Sequence, residues 1–268
     1  MKIIDCFIFY NELELLNYRL NILYNIVDYF IIVESKYTFT GKEKELIFNE
    51  NKERFSCFND KIIYICLDEM PYKYPYIDYS KKEQWKNEYY QRNCIKNGFA
   101  NIDIKDDDII IISDVDEIPD PNTLINIKEQ KIIINFNSLE MDYYYYNLNS
   151  KINSKWTKAK VILYKTFCSL NMTCDDIRMS NSIIIQNGGW HLSYFGDCIF
   201  IKNKIQNFSH QEFNNENYTN CEIIKKRIEN SEDLFGRKNS DKIISLNEKD
   251  NTYLPYSYEK YLKHFLLN

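Results

Sequence analysis

Apolar residues in this chain gather in short unbroken runs separated by stretches of helical period. Residues 3 to 9 form the first run, Tyr29 to Val33 the second and Lys61 to Cys66 the third. Runs of this length, rich in β-branched and aromatic residues, read as strands. Between the first two, Leu13, Leu16, Leu20, Leu23 and Val27 recur at three- and four-residue spacing. That is the period of a helix with one buried stripe, and Asn11 stands where its N-cap is expected. The second strand ends at Glu34 and Ser35. A β-α-β-x-β order predicts an α/β protein built on a doubly wound, mainly parallel sheet flanked by helices.

A polar helix is predicted from about Lys81 to Asn97, with Trp85, Glu88 and Arg92 on one face and Gln91 beside them. Glu88 and Arg92 at this spacing would ordinarily be an exposed ion pair. Here the helix leads through Gly98 and Asp106-Asp107-Asp108 into Ile109-Ile110-Ile111-Ile112-Ser113-Asp114-Val115-Asp116-Glu117-Ile118-Pro119, which favours Arg92 facing a ligand. Buried parallel strands are continuous apolar runs, and in open α/β sheets ligands sit beyond their carboxyl ends. The acids stand at that end. Two carboxylates about 4 Å apart repel by roughly 4 kcal/mol at an effective dielectric near 20, so the pair calls for a compensating charge. A divalent cation with oxygen ligands would supply it. A bare Asp-x-Asp is more often a solvated turn; the isoleucine run before it and Pro119 after it favour the functional reading.

After Pro121 a short helix should reach about Gln130, followed by strands near 132 to 138, 140 to 147 and 157 to 165 in a mixed, antiparallel arrangement. Three of the six glycines lie in Gly188-Gly189-Trp190-His191-Leu192-Ser193-Tyr194-Phe195-Gly196. Read as a loop, this stretch could bring its backbone close to a ligand. A lone histidine is usually structural, but His191 in such a loop is a candidate third metal ligand. Residues 219 to 268 read as helical and charged, with no chemistry of their own. No Pro-, Ser- or Gly-rich linker interrupts the chain, so residues 1–268 read as one domain.

Composition narrows the function. Isoleucine, asparagine, lysine and tyrosine are abundant, and coding bias toward AT-rich codons is sufficient to account for the Tyr143 to Tyr146 run. A net charge of −5 and a pI near 5.4 repel nucleic acid and anionic membranes, so a phosphate-bearing ligand must be held locally by a metal or a few basic groups. The eight cysteines include no C-x-x-C pair and read as reduced, mostly buried thiols. Sequons open at Asn171, Asn207 and Asn217, as chance allows in an Asn-rich chain. The first strand begins at Lys2, leaving no room for a signal peptide, and no apolar stretch reaches membrane-spanning length. A soluble, intracellular protein without a transmembrane segment is the expectation.

Several segments together resemble glycosyltransferase family 17, the group of the β-1,4-mannosyl-glycoprotein N-acetylglucosaminyltransferase. They are Phe7-Ile8-Phe9-Tyr10-Asn11-Glu12 with Leu16 and Arg19-Leu20; Val27-Asp28-Tyr29-Phe30 through Val33-Glu34-Ser35 and Thr38-Phe39-Thr40-Gly41; Asn87-Glu88 with Gln91-Arg92-Asn93; Asp114 to Pro119; Gly189-Trp190-His191 with Ser193; and Asp233-Leu234-Phe235. The resemblance implies a GT-A-type, Rossmann-like fold with a nucleotide-binding half at about 1–120, an acceptor-binding half at about 121–240 and a helical tail at 241–268. It also implies a nucleotide-sugar donor, UDP-N-acetylglucosamine, a glycan or glycoconjugate acceptor, a Mn2+ or Mg2+ ion and inversion at the anomeric carbon. The chain is expected to lack the membrane anchor and long stem of the Golgi members, so its acceptor need not be an N-glycan.

Carried onto this chain, the resemblance makes Asp116 a direct metal ligand, Asp114 a partner of the ribose or of a metal-bound water, and His191 the group that completes the metal shell. Phe7, Asn11 and Glu34 would line the nucleoside pocket, with Arg92 near the uracil or the phosphates. An inverting displacement needs a carboxylate base, and Glu212, Asp142 and Glu140 are the candidates. Two rival readings are a catalytically silent sugar-binding module, for which the many tyrosines speak, and a haloacid-dehalogenase-type phosphatase. Against the latter, Glu117 and Ile118 follow the second acid where a small or hydroxylated residue is expected.

Overall fold

The computed structural model describes residues 1–237 and 242–267. β1 (Ile3–Phe9), β2 (Tyr29–Ser35), β3 (Ile62–Leu67) and β4 (Ile109–Asp114) lie in the order β3-β2-β1-β4, all parallel, with Ile3 opposite Ile109 and Ile8 opposite Asp114. β1, β2 and β4 are buried on both faces, which is why their sequences are unbroken apolar runs. Alternate residues serve different layers. Ile3, Phe7, Phe30, Ile32, Ile109 and Ile111 pack with Leu16, Leu20 and Leu23 of the helix Leu13–Leu23. Ile4, Cys6, Ile31, Val33, Ile110 and Ile112 pack on the other face with Cys94, Ile95 and Phe99, just after the helix Glu83–Asn93.

Beyond β4 the strands reverse. β8 (Lys160–Leu163) is antiparallel to β4, β6 (Phe136–Tyr145) to β8, β7 (Ser150–Trp156) to β6, and β10 (Ile243–Ser245) closes the far edge. β9 (Ile183–Ser193) runs parallel to β6 and pairs on its other side with β5 (Glu117–Pro119), placing Glu117 opposite His191. The structure is therefore a mixed α/β sheet with helices on its faces, and the end of β4 opens toward β9. No helix among the described residues is long and apolar enough to cross a membrane.

Several local expectations are corrected. Asn11 does not cap the first helix: Glu12 flanks it, its Oε2 accepting from the backbone N–H of Tyr10 (3.3 Å) and Asn11 (3.0 Å), while Asn11 Nδ2 donates to Asn203 (3.4 Å). The strands expected at 132 to 138 and 140 to 147 are one strand, β6, with an irregularity at Asp142/Tyr143. β7 was not expected, because its sequence buries only Ser150 and Ile152 and shows no apolar period. The glycine-rich stretch is strand, not loop. A Cβ at Gly188 would lie 2.7 Å from Leu139, and one at Gly189, whose φ is +141°, would lie 2.1 Å from the Ile118 carbonyl. These glycines let β9 squeeze between β5 and β6. The C-terminal segment is helical at Cys221–Glu229 and in short turns such as Tyr258–Tyr261, but it also supplies β10; the helical expectation at 238–241 and 268 lies outside the described residues.

One buried side chain ties these layers to the acidic turn. Arg19 is fully buried and pairs with the equally buried Asp5 through Nε (2.8 Å) and Nη2 (2.5 Å). Its remaining hydrogens reach Ser113 Oγ (2.7 Å) and the carbonyls of Asp114 (2.8 Å), Val115 (3.3 Å) and Glu117 (3.0 Å), with the guanidinium 4.2 Å over the Phe7 ring. Only arginine offers five donors in a fixed fork. Arg19→Met would strand the Asp5 carboxylate without its partner, so the unfolding free energy should fall by about 3–5 kcal/mol. Urea denaturation checks this, and a loss under about 1 kcal/mol would be the signature of an ordinary surface substitution.

Candidate active site

Beyond the carboxyl ends of β1 and β4 the structure encloses a cavity of about 450 Å³. Its floor is the turn Asp114-Val115-Asp116, and one wall is the Trp85, Glu88 and Arg92 face of the helix Glu83–Asn93. Helical spacing put those three side chains together, and Gln91 on the same helix holds it to the sheet by donating to the Val33 (2.9 Å) and Phe9 (3.3 Å) carbonyls. The opposite wall carries Tyr143 of β6, Trp156 of β7 and His191 of β9, with Arg178 and Lys204 between.

The two acids of the motif meet different cations. Asp114 accepts from Arg92 Nη2 (3.1 Å) and Arg178 Nη2 (2.6 Å). Burial alone would raise its carboxyl, but Arg178 and then Arg92 outweigh burial and hold it well below the usual carboxylate range. Arg178 also reaches Glu117 (2.6 Å), and Glu117 in turn accepts from the Asp114 backbone N–H (2.9 Å) and from the Trp156 indole. Arg92 is shared further with Glu88 (2.8 Å) and Asp175. Asp116 instead faces Lys204 Nζ (3.0 Å) and His191 Nε2 (3.6 Å). The same ammonium lies 3.1 Å from Glu12.

His191 is held by its neighbours rather than by hydrogen bonds. Its ring stacks on Tyr143 at 4.5 Å and 15° and lies 4.4 Å from Trp156, and its buried Nδ1 has no hydrogen-bond partner. Burial lowers the proton affinity of the imidazole, with Asp116 pulling the other way, so the ring is neutral near pH 7. No group of three or more His, Cys, Asp and Glu side chains among the described residues is arranged to hold a metal. Asp116 and His191 suit an ion whose shell the substrate completes: the 3.6 Å between them is too long for a hydrogen bond, a neutral imidazole is a metal ligand, and one or two carboxylates with substrate phosphates are enough for a Mg2+-type site.

Of the residues expected at the site, Arg92, Asp114, Asp116 and His191 line the cavity. Phe7, Asn11 and Glu34 do not. Phe7 lies beneath Arg19, Asn11 turns to Asn203, and Glu34 is buried among Lys44 (2.9 Å), Tyr64 (2.9 Å) and the Phe48 N–H (3.1 Å). The three expected bases also stand outside the wall. Asp142 is held by Lys151 and Lys155 on the strand face opposite Tyr143, as alternation requires. Glu140 has the same parity, and Glu212 pairs with His210 Nδ1 (2.7 Å) near the surface. Arg178, Lys204, Tyr143 and Trp156 were not foreseen. Arg178 lies in the six-residue helix Cys174–Met179, and Lys204 in an amphipathic helix, Cys198–Asn207. Neither position carries a motif that marks it, although the capping box Thr173-x-x-Asp176 marks the first helix itself.

An α/β sheet whose parallel strand β4 ends in an acid pair, beside a largely apolar cavity lined with fixed cations, has the position and make-up of a small-molecule site. The profile of glycosyltransferase family 17 matches residues 1–240, so the chain belongs to that family and is a glycosyltransferase. Among its relatives are the β-1,4-mannosyl-glycoprotein 4-β-N-acetylglucosaminyltransferases of Rattus norvegicus, 28% identical over 131 residues, and of Homo sapiens, 29% identical over 122 residues. These alignments cover 47% and 44% of this chain but only 23% and 22% of the relatives' own lengths. A crystal structure of 4-diphosphocytidyl-2C-methyl-D-erythritol synthase superposes with a TM-score of 0.40 at 11% identity, covering 73% of this chain and 93% of that one; likeness at that level supports no inference.

The buried His191 sets a pH dependence of stability. Its folded-state proton affinity is lower than the unfolded value near 6.5, so below that pH the unfolded chain takes up a proton that the folded one refuses. This part of the stability is present above about pH 6.5 and declines as pH falls. Between about pH 7 and 5 the melting temperature of His191→Gln should therefore fall less steeply than that of the parent. Parallel curves would show that His191 titrates alike in both states.

Proposed function

We propose that this glycosyltransferase binds UDP-N-acetylglucosamine in the cavity and transfers the sugar, with inversion, to a hydroxyl of a glycan or glycoconjugate. The observation that carries the reading is the Asp114-Val115-Asp116 turn opening onto the cavity with a neutral His191 across from Asp116. The names of the relatives support the donor sugar, and the acceptor follows the family by class only. Asp116 and His191 are the residues that would hold Mn2+ or Mg2+. When bound, such an ion acts as a Lewis acid toward the departing diphosphate.

The other side chains have work of their own. Arg92 and Arg178 keep Asp114 ionised and immobile, so its carboxylate can accept a hydrogen bond from a ribose hydroxyl. Tyr143, Trp156 and Trp85 offer ring faces against which a sugar can pack. The acceptor hydroxyl must meet a carboxylate within hydrogen-bond reach. On that ground we assign the base to the cavity acids Glu88 and Asp175 rather than to Glu140, Asp142 or Glu212. Glu88 accepts from Arg92 and from Ser209, and burial raises the Asp175 carboxyl while Arg92 lowers it. Both are thus held in place at the wall.

Incubation with a panel of nucleotide sugars and Mn2+ should give slow release of nucleoside diphosphate from UDP-N-acetylglucosamine. Release from no donor, with tight nucleotide binding, would support a silent sugar-binding module instead. Asp116→Ala should cut turnover by at least about a hundredfold, roughly 2.7 kcal/mol in the barrier, with the fold retained. Glu88→Gln or Asp175→Asn should lower kcat by a comparable factor, whereas Asp142→Asn and Glu212→Gln should not. The reverse pattern returns the base to the outer carboxylates.

A further inference from the structure

Lys204 stands where a cation-dependent donor site would least tolerate an idle ammonium. Its helix is capped by Asp197, whose carboxylate accepts from the Phe200 N–H (2.8 Å), and is anchored by the fully buried Ile201 and Ile205. Lys204 thereby points into the cavity, its ammonium 3.0 Å from Asp116, 3.1 Å from Glu12 and 5.5 Å from the Tyr194 ring centre. The Asp116 carboxylate is thus divided, with Oδ2 on Lys204 and Oδ1 toward His191. A divalent ion on Oδ1 and His191 would share that carboxylate with a fixed positive charge. The two repel until something anionic lies between them.

We propose that Lys204 is a donor-diphosphate-binding residue, parked between Asp116 and Glu12 in the free protein, and that it makes the binding of the divalent ion and of the nucleoside diphosphate mutually dependent. The inference rests on the donor reading given above. Without nucleotide, Lys204 neutralises Asp116 and opposes the ion. With nucleotide, the diphosphate offers the ammonium oxygens bearing more charge than one carboxylate, and both cations face it. Linkage then requires that each ligand strengthen the other by the same factor. Glu12 keeps the ammonium at the wall in either state.

The test is calorimetry with MnCl2 alone, with uridine diphosphate alone and with both, on the full chain and its variants. Lys204→Met should bind Mn2+ alone about threefold more tightly than the parent, because a repelling charge is gone, yet bind uridine diphosphate in saturating Mn2+ at least about tenfold more weakly, so the coupling between the two collapses. Lys204→Arg, which keeps the charge, should retain uridine diphosphate affinity within about threefold. If Lys204→Met does not fold, Lys204→Gln carries the same measurements. Unchanged uridine diphosphate affinity, or weaker binding of Mn2+ alone in the neutral variant, would overturn the proposal while leaving the donor reading intact. A parent protein that binds neither probe would overturn that reading and the proposal with it.

Discussion

The site depends on a single buried cation that never enters it. Arg19 sits beneath the sheet's end and holds the Asp114, Val115 and Glu117 carbonyls while its other edge is locked to Asp5 on β1. A chain leaving a parallel strand normally departs into solvent. Here the backbone is turned back on a guanidinium, so that β5 pairs with β9 three residues after β4 ends. Breaking such a pair is costly because the surviving carboxylate has no water to fall back on. The geometry of the acid pair is therefore fixed by the core rather than by a ligand.

That rigidity shapes the electrostatics of the cavity. In a chain of net charge −5, the acids of the cavity are matched by cations drawn from separate segments: Arg92 from the helix before β4, Arg178 from the helix before β9, Lys204 from the helix after it. The two carboxylates of the motif meet different cations, Arg92 and Arg178 at Asp114 and Lys204 at Asp116. Glu117, on β5, accepts from Arg178, which also holds Asp114, and from the Trp156 indole. Where these cations are buried, as Arg92 and Arg178 are, the interaction is stronger than it would be at the surface.

Much of this was legible in the residues. The parallel strands announce themselves because burial on both faces leaves no room for polar alternation, and the acid pair stands out because it ends such a run. Trp85, Glu88 and Arg92 share a helix face by spacing alone and line the cavity together. The scarce glycines between Gly188 and Gly196 read as a loop, yet Gly188 and Gly189 belong to a strand. The missing side chains of Gly188 and Gly189 admit neighbouring strands, Leu139 on one side and the Ile118 carbonyl on the other, and a sequence does not say which neighbour a glycine makes room for.

What the sequence determined by itself was local: strand and helix periods, the acidic turn, the family to which the segments belong. These follow from near neighbours, whose spacing the chain prints directly. The tertiary structure decided which acids have partners and which side chains share a cavity. Arg178 and Lys204 lie 64 and 88 residues beyond the acids they meet, and their placement depends on short helices whose docking no periodicity encodes. The expected bases fell outside the wall for the same reason. Strand parity put Asp142 under its lysines and Tyr143 in the cavity, and only the pairing of β6 with β7 and β9 fixes which parity faces the site.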